Sequence, residues 1–563
     1  MAADTIDAVV ADYERFNLAQ NPVTAGQLGD REALKRWPDD SPAAVSARRA
    51  QLTAFQSRLG GLAHVALPAE GAINREFLIR QVAQSLAGMA FDEERMPFVA
   101  DDGFFNLPDY VARSTTIRSR ADADGWLARL AAVADFYATE VVDARRGLAT
   151  GFVQPGVVLD AALSTVRAQA AAPAEDSSLL LPLAKLPPEL SVDDQAGYRA
   201  RALAIVRDKI KPAQRALLAF LETNYRPKAD ARTVVGLCGL PGGTAYYAWL
   251  ARRYTTTDLT PEAIHALGIK EVARIRAEMD GAIAETGFKG SFAEFLAFLR
   301  HDPRFYATSR QALLDRAKAI AARIDVELPK WFGHLPKLPY DVRPVPAELE
   351  ESYTSGRYWE GSPEQGAPGG YLVNTSHLDQ RPLFELPVLT LHEAIPGHHT
   401  QIALAQENKA LPVFRRGDGL TVYVEGWALY AERLGVEMGI YQDAYERFGM
   451  LSFDMWRACR LVVDTGLHQM GWPREKARAF LADNTALSQK NVDVEIDRYI
   501  GQPGQALAYK IGQLKILQLR ERAKTALGAR FDIRAFHDVI LDEGPLPLDM
   551  LEARVDAWIA SKG

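Results

Sequence analysis

A mainly α-helical fold with a small antiparallel sheet is what the sequence predicts, and three observations carry that expectation. Apolar residues recur at three- and four-residue spacing through residues 123–140, 195–221, 261–286 and 292–299, with Arg, Asp and Glu between them. Helix-start signals agree. Thr260-Pro261-Glu262 offers a cap followed by proline in the first turn, and Ser191-Val192-Asp193-Asp194 offers another start. Strand signals, in contrast, are few.

Along the chain, the Ala/Pro-rich patch at 170–175 reads as a loop. The run Gly236-Leu237-Cys238-Gly239-Leu240-Pro241-Gly242-Gly243 reads as a turn, because it lacks the spacing and strand–helix context of a phosphate loop. The clearest strand is Gly370-Tyr371-Leu372-Val373-Asn374-Thr375, after the breaker-rich run 361–369, and a second lies near 339–345. The proline-rich stretch 328–346 is the best candidate boundary. It separates a helical scaffold, 1–335, from a domain of helices plus the small sheet, 336–563; one continuous domain is the alternative. No repeat of 20–50 residues argues for a solenoid.

The 563 residues are 48% hydrophobic and 24% charged, the composition of a soluble globular protein. A net charge of −7 offers no basic excess for phosphates, so no nucleic-acid partner is expected. No basic start followed by an apolar run marks a signal peptide, and no run of about eighteen apolar residues marks a membrane span. A cytoplasmic protein without membrane contact is therefore expected, although a processed chain would look the same. Cys238 and Cys459 stand in no metal-type spacing and are expected to be reduced, buried thiols. Oligomeric state is not legible.

Ten histidines are present, and three of them, His392, His398 and His399, fall within eight residues beside Glu393. Histidine is the commonest zinc ligand, and a carboxylate beside bound water can act as general base. Yet the spacing is not that of two ligands one turn apart. On a regular helix His398 stands about 240° around the axis from His392, and His399 lies about 10 Å further along it. Pro396-Gly397 offers a way out. Proline clashes with the carbonyl of His392 and glycine tolerates unusual backbone angles, so a bulge can bring His398 beside His392. Downstream, Glu425 and Glu432 lie two turns apart on the apolar segment Thr421-Val422-Tyr423-Val424-Glu425-Gly426-Trp427-Ala428-Leu429-Tyr430-Ala431-Glu432. One carboxylate could bind metal while the other orients a ligand imidazole.

These two segments together resemble the gluzincin metallopeptidases, in which a His-Glu helix gives two zinc ligands and the next helix a glutamate. The run Glu425-Gly426-Trp427-Ala428-Leu429-Tyr430-Ala431-Glu432 is similar to the corresponding helix of the thermolysin-like aminopeptidase branch. That resemblance implies Glu425 as the third ligand. The lengthened histidine segment resembles that of dipeptidyl peptidase III, which has one extra residue between its histidines where this chain has two. More closely, the chain is identified as a member of the bacterial DUF885 family on five segments. Three are His392-Glu393-Ala394-Ile395-Pro396-Gly397-His398-His399, Glu425-Gly426-Trp427-Ala428-Leu429-Tyr430 and Arg460-Leu461-Val462-Val463-Asp464-Thr465-Gly466-Leu467-His468. The others are Pro503-Gly504-Gln505-Ala506-Leu507-Ala508-Tyr509-Lys510 and Tyr246-Tyr247 with Thr255-Thr256-Thr257. The resemblance implies a mostly helical zincin-type fold and peptidase activity.

A zinc peptidase also needs a donor for the developing oxyanion. Tyr509 and His468 are the candidates, with Asp464 at i−4 able to orient His468; related peptidases place such a Tyr downstream, which favours Tyr509. Arg498, Tyr499 and Lys510 could hold a substrate carboxylate. Tyr371 and its strand could pair with an extended peptide as edge strands do, and His399 would neighbour the substrate. The expected function is a Zn2+-dependent hydrolase of small peptides, with His392, His398 and Glu425 as ligands and Glu393 as base. An amidase of a non-peptide amide or modified amino-acid conjugate, and a binding protein that has lost its metal, are the alternatives. Trials of small peptides against such conjugates separate the first two, and zinc content isolates the third.

Overall fold

The computed structural model describes residues 5–99, 102–347, 350, 354–364, 366–417 and 419–562. Residues 1–4, which bear on the reading of the N-terminus, and Gln365, in the run before the predicted strand, lie outside them. Two compact units divide the chain: Met1–Tyr246 with Ile500–Gln502, and Tyr247–Tyr499 with Pro503–Gly563. The division falls inside the helix Gly243–Thr255. The stretch 328–346 instead runs within the second unit, where helix Arg310–Trp331 continues through Pro329 and strand Tyr340–Pro344 follows.

Among the described residues the first unit is helical apart from one hairpin, Phe98–Val99 paired antiparallel with Asp102–Gly103. The periodic stretch 123–140 is split between two helices, Arg120–Ala131 and Val133–Thr150. The stretch 195–221 lies in a longer helical run from Val192–Ile205 to Arg226–Asp230, interrupted by π turns at Val206–Ile210 and Leu221–Tyr225. Each π turn is followed within two residues by a proline, Pro212 or Pro227. Proline donates no backbone hydrogen bond and crowds the carbonyl four residues back, and a widened turn relieves both. Both predicted caps form: Ser191 accepts from Asp194 N, and Thr260 accepts from Ala263 N.

In the second unit the small sheet has three strands in the order Tyr340–Pro344, Gly369–Val373, Gly356–Trp359. It is mixed rather than antiparallel, because Tyr340–Pro344 pairs parallel with the central strand. Tyr371 therefore sits in the centre of the sheet, paired on both sides, and the free edge next to the histidine segment belongs to Gly356–Trp359.

The helix Thr421–Glu437 buries most of its residues, as an all-round apolar helix must. It packs against Ala508–Leu527 at a crossing of two glycines. A Cβ on Gly426 would stand 2.5 Å from Gly512 Cα, and one on Gly512 would stand 2.0 Å from Val422 O. The glycine of the Glu425-Gly426 pair thus lets the Tyr509 helix approach the Glu425 helix. Gly512→Ala is expected to destabilise the fold by about 1–3 kcal/mol through overpacking. A urea midpoint equal to wild type would refute the close crossing.

His537 braces the same helix. Its Nε2 accepts from the Tyr430 hydroxyl at 2.7 Å, its Nδ1–H donates to Trp331 O at 2.7 Å, and Phe332 stacks on it at 4.7 Å. Burial, reinforced by the Arg520 charge, lowers its pKa to about 3. A histidine depressed on folding contributes stability that is full above its unfolded pKa, about 6.5, and drains as pH falls toward the folded one. The His537 ring carbon is expected to show no titration between about pH 8 and 5 in an NMR titration. A midpoint near the free-histidine value would contradict this.

Cys459 is buried, but Cys238 is only partly so, which corrects the expectation of two buried thiols. Among the described residues no helix is long and apolar enough to cross a membrane.

Candidate metal centre

Helix Leu386–Glu393 ends one residue after His392, and helix His398–Glu407 begins on His398. Between them the backbone leaves the helical region, with Ala394 at φ −100°, ψ −102° and Gly397 at φ −73°, ψ −126°. The expected bulge is therefore a full break into two helices. Only glycine fits at 397, since a Cβ would stand 2.0 Å from His392 O and 2.3 Å from Leu391 O. The Trp427 indole donates to Pro396 O at 2.8 Å and pins the break to the Glu425 helix.

The break brings the His392 and His398 rings to 4.7 Å between centroids, nearly perpendicular at 86°. Both turn Nε2 toward one oxygen, Glu425 Oε2, at 3.4 Å from His392 and 3.6 Å from His398. Tetrahedral ligands about 2.0–2.2 Å from a zinc ion stand roughly 3.4 Å from one another. Glu425 Oε2 is buried and makes no hydrogen bond of its own. The donor set, its spacing and this orphaned oxygen all fit a cation of zinc type.

Glu432 completes the His392 side. Its Oε1 accepts from His392 Nδ1 at 2.7 Å, so Nε2 is the ring nitrogen that faces Glu425. Burial alone would lower the His392 imidazole, but the carboxylates of Glu425 and Glu432 outweigh it and raise it to about 10. Burial lowers His398 to about 4 against the pull of Glu425. For Glu425, burial is overcome by the two histidines and the carboxyl falls to about 2.

Glu393 lies beside the pair. Ligand atoms of His392, Glu393 and His398 lie within 4.8 Å of one another, the one such group among the described residues. Burial raises the Glu393 carboxyl, and the Tyr358 backbone N–H donates to its Oε2 at 2.7 Å. Of the two glutamates, Glu393 is thus tied to the sheet edge, whereas Glu425 offers a free oxygen between the imidazoles.

Several predicted site residues lie elsewhere. His399 is 2% exposed and spends both nitrogens on the protein: Nδ1 accepts from the Tyr358 hydroxyl at 3.1 Å and Nε2–H donates to Leu338 O at 3.0 Å. It is a brace for the sheet, with neither ring nitrogen left over. Tyr371 is fully buried, its hydroxyl within 3.4 Å of Thr390 Oγ1. Lys510 is fully buried, donating to Asp454 at 2.6 Å and Gln513 at 2.8 Å, with Glu271 at 3.3 Å. His468 packs on Tyr247 and its Nε2 bonds to Tyr499 O at 2.9 Å, so it is a core residue. Asp464 accepts from the Tyr247 hydroxyl at 2.5 Å and from Gly504 N at 3.1 Å, where it holds the turn before the Tyr509 helix. Tyr499 is buried, accepting from Trp456 and Arg460 and donating to Glu495 at 2.5 Å. None of these six side chains is left for the part the sequence reading gave it.

Arg498 and Tyr509 do come together, with Nη2 3.4 Å from the hydroxyl. Arg460 lies over the Tyr509 ring at 4.2 Å, and its charge helps to hold Glu425 low. Arg457 stands 3.6 Å from Glu432. These two arginines carry no role in the sequence reading. Their signal is a polar stripe, Arg457, Arg460, Asp464, His468, at helical spacing along the C-terminal half of the helix Ala444–His468.

The family described as "Bacterial protein of unknown function (DUF885)" matches residues 22–555. Among solved structures, a Colwellia psychrerythraea protein described as a "putative lipoprotein" superposes with a TM-score of 0.92 at 28% identity over 99% of both chains. A Shewanella oneidensis protein described as a "putative lipoprotein of unknown function" shares the fold. Its TM-score is 0.78 at 18% identity, over 98% of this chain and 99% of that one. Among curated proteins none matches the chain. With the match running over nearly the whole sequence, and with the segments that carry the histidines, Glu425 and Tyr509 inside it, the chain belongs to the DUF885 family.

Proposed function

We propose that the chain is a zinc-dependent hydrolase of the zincin type that cleaves amide bonds in small peptides. The observation that carries this reading is the convergence of His392 Nε2 and His398 Nε2 on the free Glu425 oxygen, with Glu393 beside them. His392, His398 and Glu425 would hold a zinc ion, which would supply Lewis acidity and lower the pKa of water.

The protein's own groups do the rest. Glu393, raised by burial, takes a proton from the attacking water and returns it to the leaving nitrogen. Glu432 keeps the proton of His392 on Nδ1. Tyr509 is the hydroxyl donor for the carbonyl oxygen as charge develops there. The edge of strand Gly356–Trp359, whose Tyr358 N–H already reaches Glu393, is the strand available to pair with an extended peptide.

Purified protein is expected to carry near-stoichiometric zinc and to cleave members of a tripeptide library. Removal of the metal with a chelator should abolish cleavage, and added zinc should restore it. Protein that is fully active after the metal has been stripped would overturn the reading.

A further inference from the structure

Beyond the metal ligands, the second unit holds a buried cationic cluster that the hydrolytic step does not use. Arg460 is 2% exposed on the helix Ala444–His468. Its Nε donates to the Tyr499 hydroxyl at 2.9 Å and its Nη2 reaches Glu495 Oε2 at 3.2 Å, while Nη1 is buried with no hydrogen-bond partner. Aromatic rings wall the guanidinium, Trp456 at 4.6 Å and Tyr509 at 4.2 Å. Arg498 leans on the same glutamate at 3.4 Å, and its Nη2 donates to Gln505 at 2.8 Å and to the Tyr509 hydroxyl at 3.4 Å.

Glu495 is therefore one carboxylate shared by two guanidinium groups, and it also accepts from Tyr499. Among the described residues no second carboxylate bonds to either arginine. The next anion, Glu425, faces the two histidines. A buried cation without a matching anion is costly, and a guanidinium with free donors is the side chain best shaped to receive a carboxylate.

We propose that Arg460 and Arg498 form a receptor for a carboxylate group of the substrate. The inference deepens the hydrolase reading and rests on it for the word substrate. It makes the enzyme one that measures its peptides by an anionic group, supplied by the C-terminus or by an acidic side chain. The aromatic walls around Arg460 lower the dielectric at its guanidinium and so strengthen its ion pairing.

The zinc-loaded full chain carrying Glu393→Gln, titrated calorimetrically with three probes, tests this. They are acetyl-dialanine with a free carboxylate, its carboxamide, and the carboxamide of acetyl-glutamyl-alanine. The free acid is expected to bind at least about tenfold tighter than the plain carboxamide. If the glutamyl carboxamide alone gains that factor, the receptor stands and a side chain is its source. Added Arg460→Gln or Arg498→Gln should bring the ratio close to one at equal zinc content. Arg498 is partly exposed, so its variant keeps the test open if Arg460→Gln does not fold. Equal affinity for all three probes, or a ratio that survives both substitutions, overturns the proposal. Hydrolysis by wild type is measured separately. A carboxylate preference without hydrolysis removes the hydrolase reading and leaves the receptor; hydrolysis without the preference does the reverse.

Discussion

Glu393→Gln is expected to leave bound zinc unchanged while lowering kcat for peptide cleavage by about 10²–10⁴-fold, the range of a general base. The substitution is nearly isosteric. Its amide oxygen can still accept from Tyr358 N, which holds the native carboxylate at 2.7 Å, so the sheet edge and the break after the histidine helix should keep their geometry. What is lost is the capacity to take a proton. Metal analysis alongside the kinetics makes the outcome decisive. Full activity would move the base elsewhere, whereas loss of zinc would make Glu393 a ligand and displace Glu425 from that role. The second possibility has a physical basis, because Glu393 shares a ligand-sized cluster with both histidines.

What the sequence made legible and what it hid follow from the range of the interactions. Helices with their own caps, such as Ser191 and Thr260, are local and readable. The crowding of His392, Glu393 and His398 is local too, and Pro396-Gly397 announces that the helix there cannot be regular. Burial of polar groups is not local. Lys510 was read as a free cation, but its partner Asp454 lies 56 residues away. Asp464 was read as the orienter of His468, but it serves Tyr247, 217 residues upstream. The strand expected at 370–375 reads as an edge because nothing in its own residues tells that two upstream strands flank it, one on each side in the sheet. The short strand Gly356–Trp359 has too few residues to show an alternation, yet its edge reaches the site. The change of compact unit falls within the first turn of a helix, Gly243–Thr255, just past the run 236–243, whose proline and glycines read only as a turn.

His398 and His399, adjacent in sequence, should respond oppositely to removal. His398→Ala takes away one of the two imidazoles that face Glu425 and leaves the Glu425 oxygen opposite a gap. Zinc affinity is expected to fall by more than the roughly 10–100-fold that loss of an outer partner produces, because a direct ligand is gone. Removal of His399 acts on the fold instead. Its ring joins Tyr358 and Leu338 through two hydrogen bonds and packs on Tyr340 at 4.9 Å, so His399→Ala opens a cavity and strands two buried polar groups. The expected cost is about 2–4 kcal/mol of stability, with zinc retained by the folded protein. Competition with a chromophoric chelator reads the first effect, and urea unfolding reads the second. If His399→Ala loses zinc at full stability while His398→Ala keeps it, the ligand lies one residue further along. The two-helix break would then have to be drawn differently, since His399 now points away from Glu425 into the sheet. The opposite responses would tie the metal to the break itself, for it is the path through Gly397, closed to any larger residue, that turns one of two neighbouring imidazoles inward and the other out.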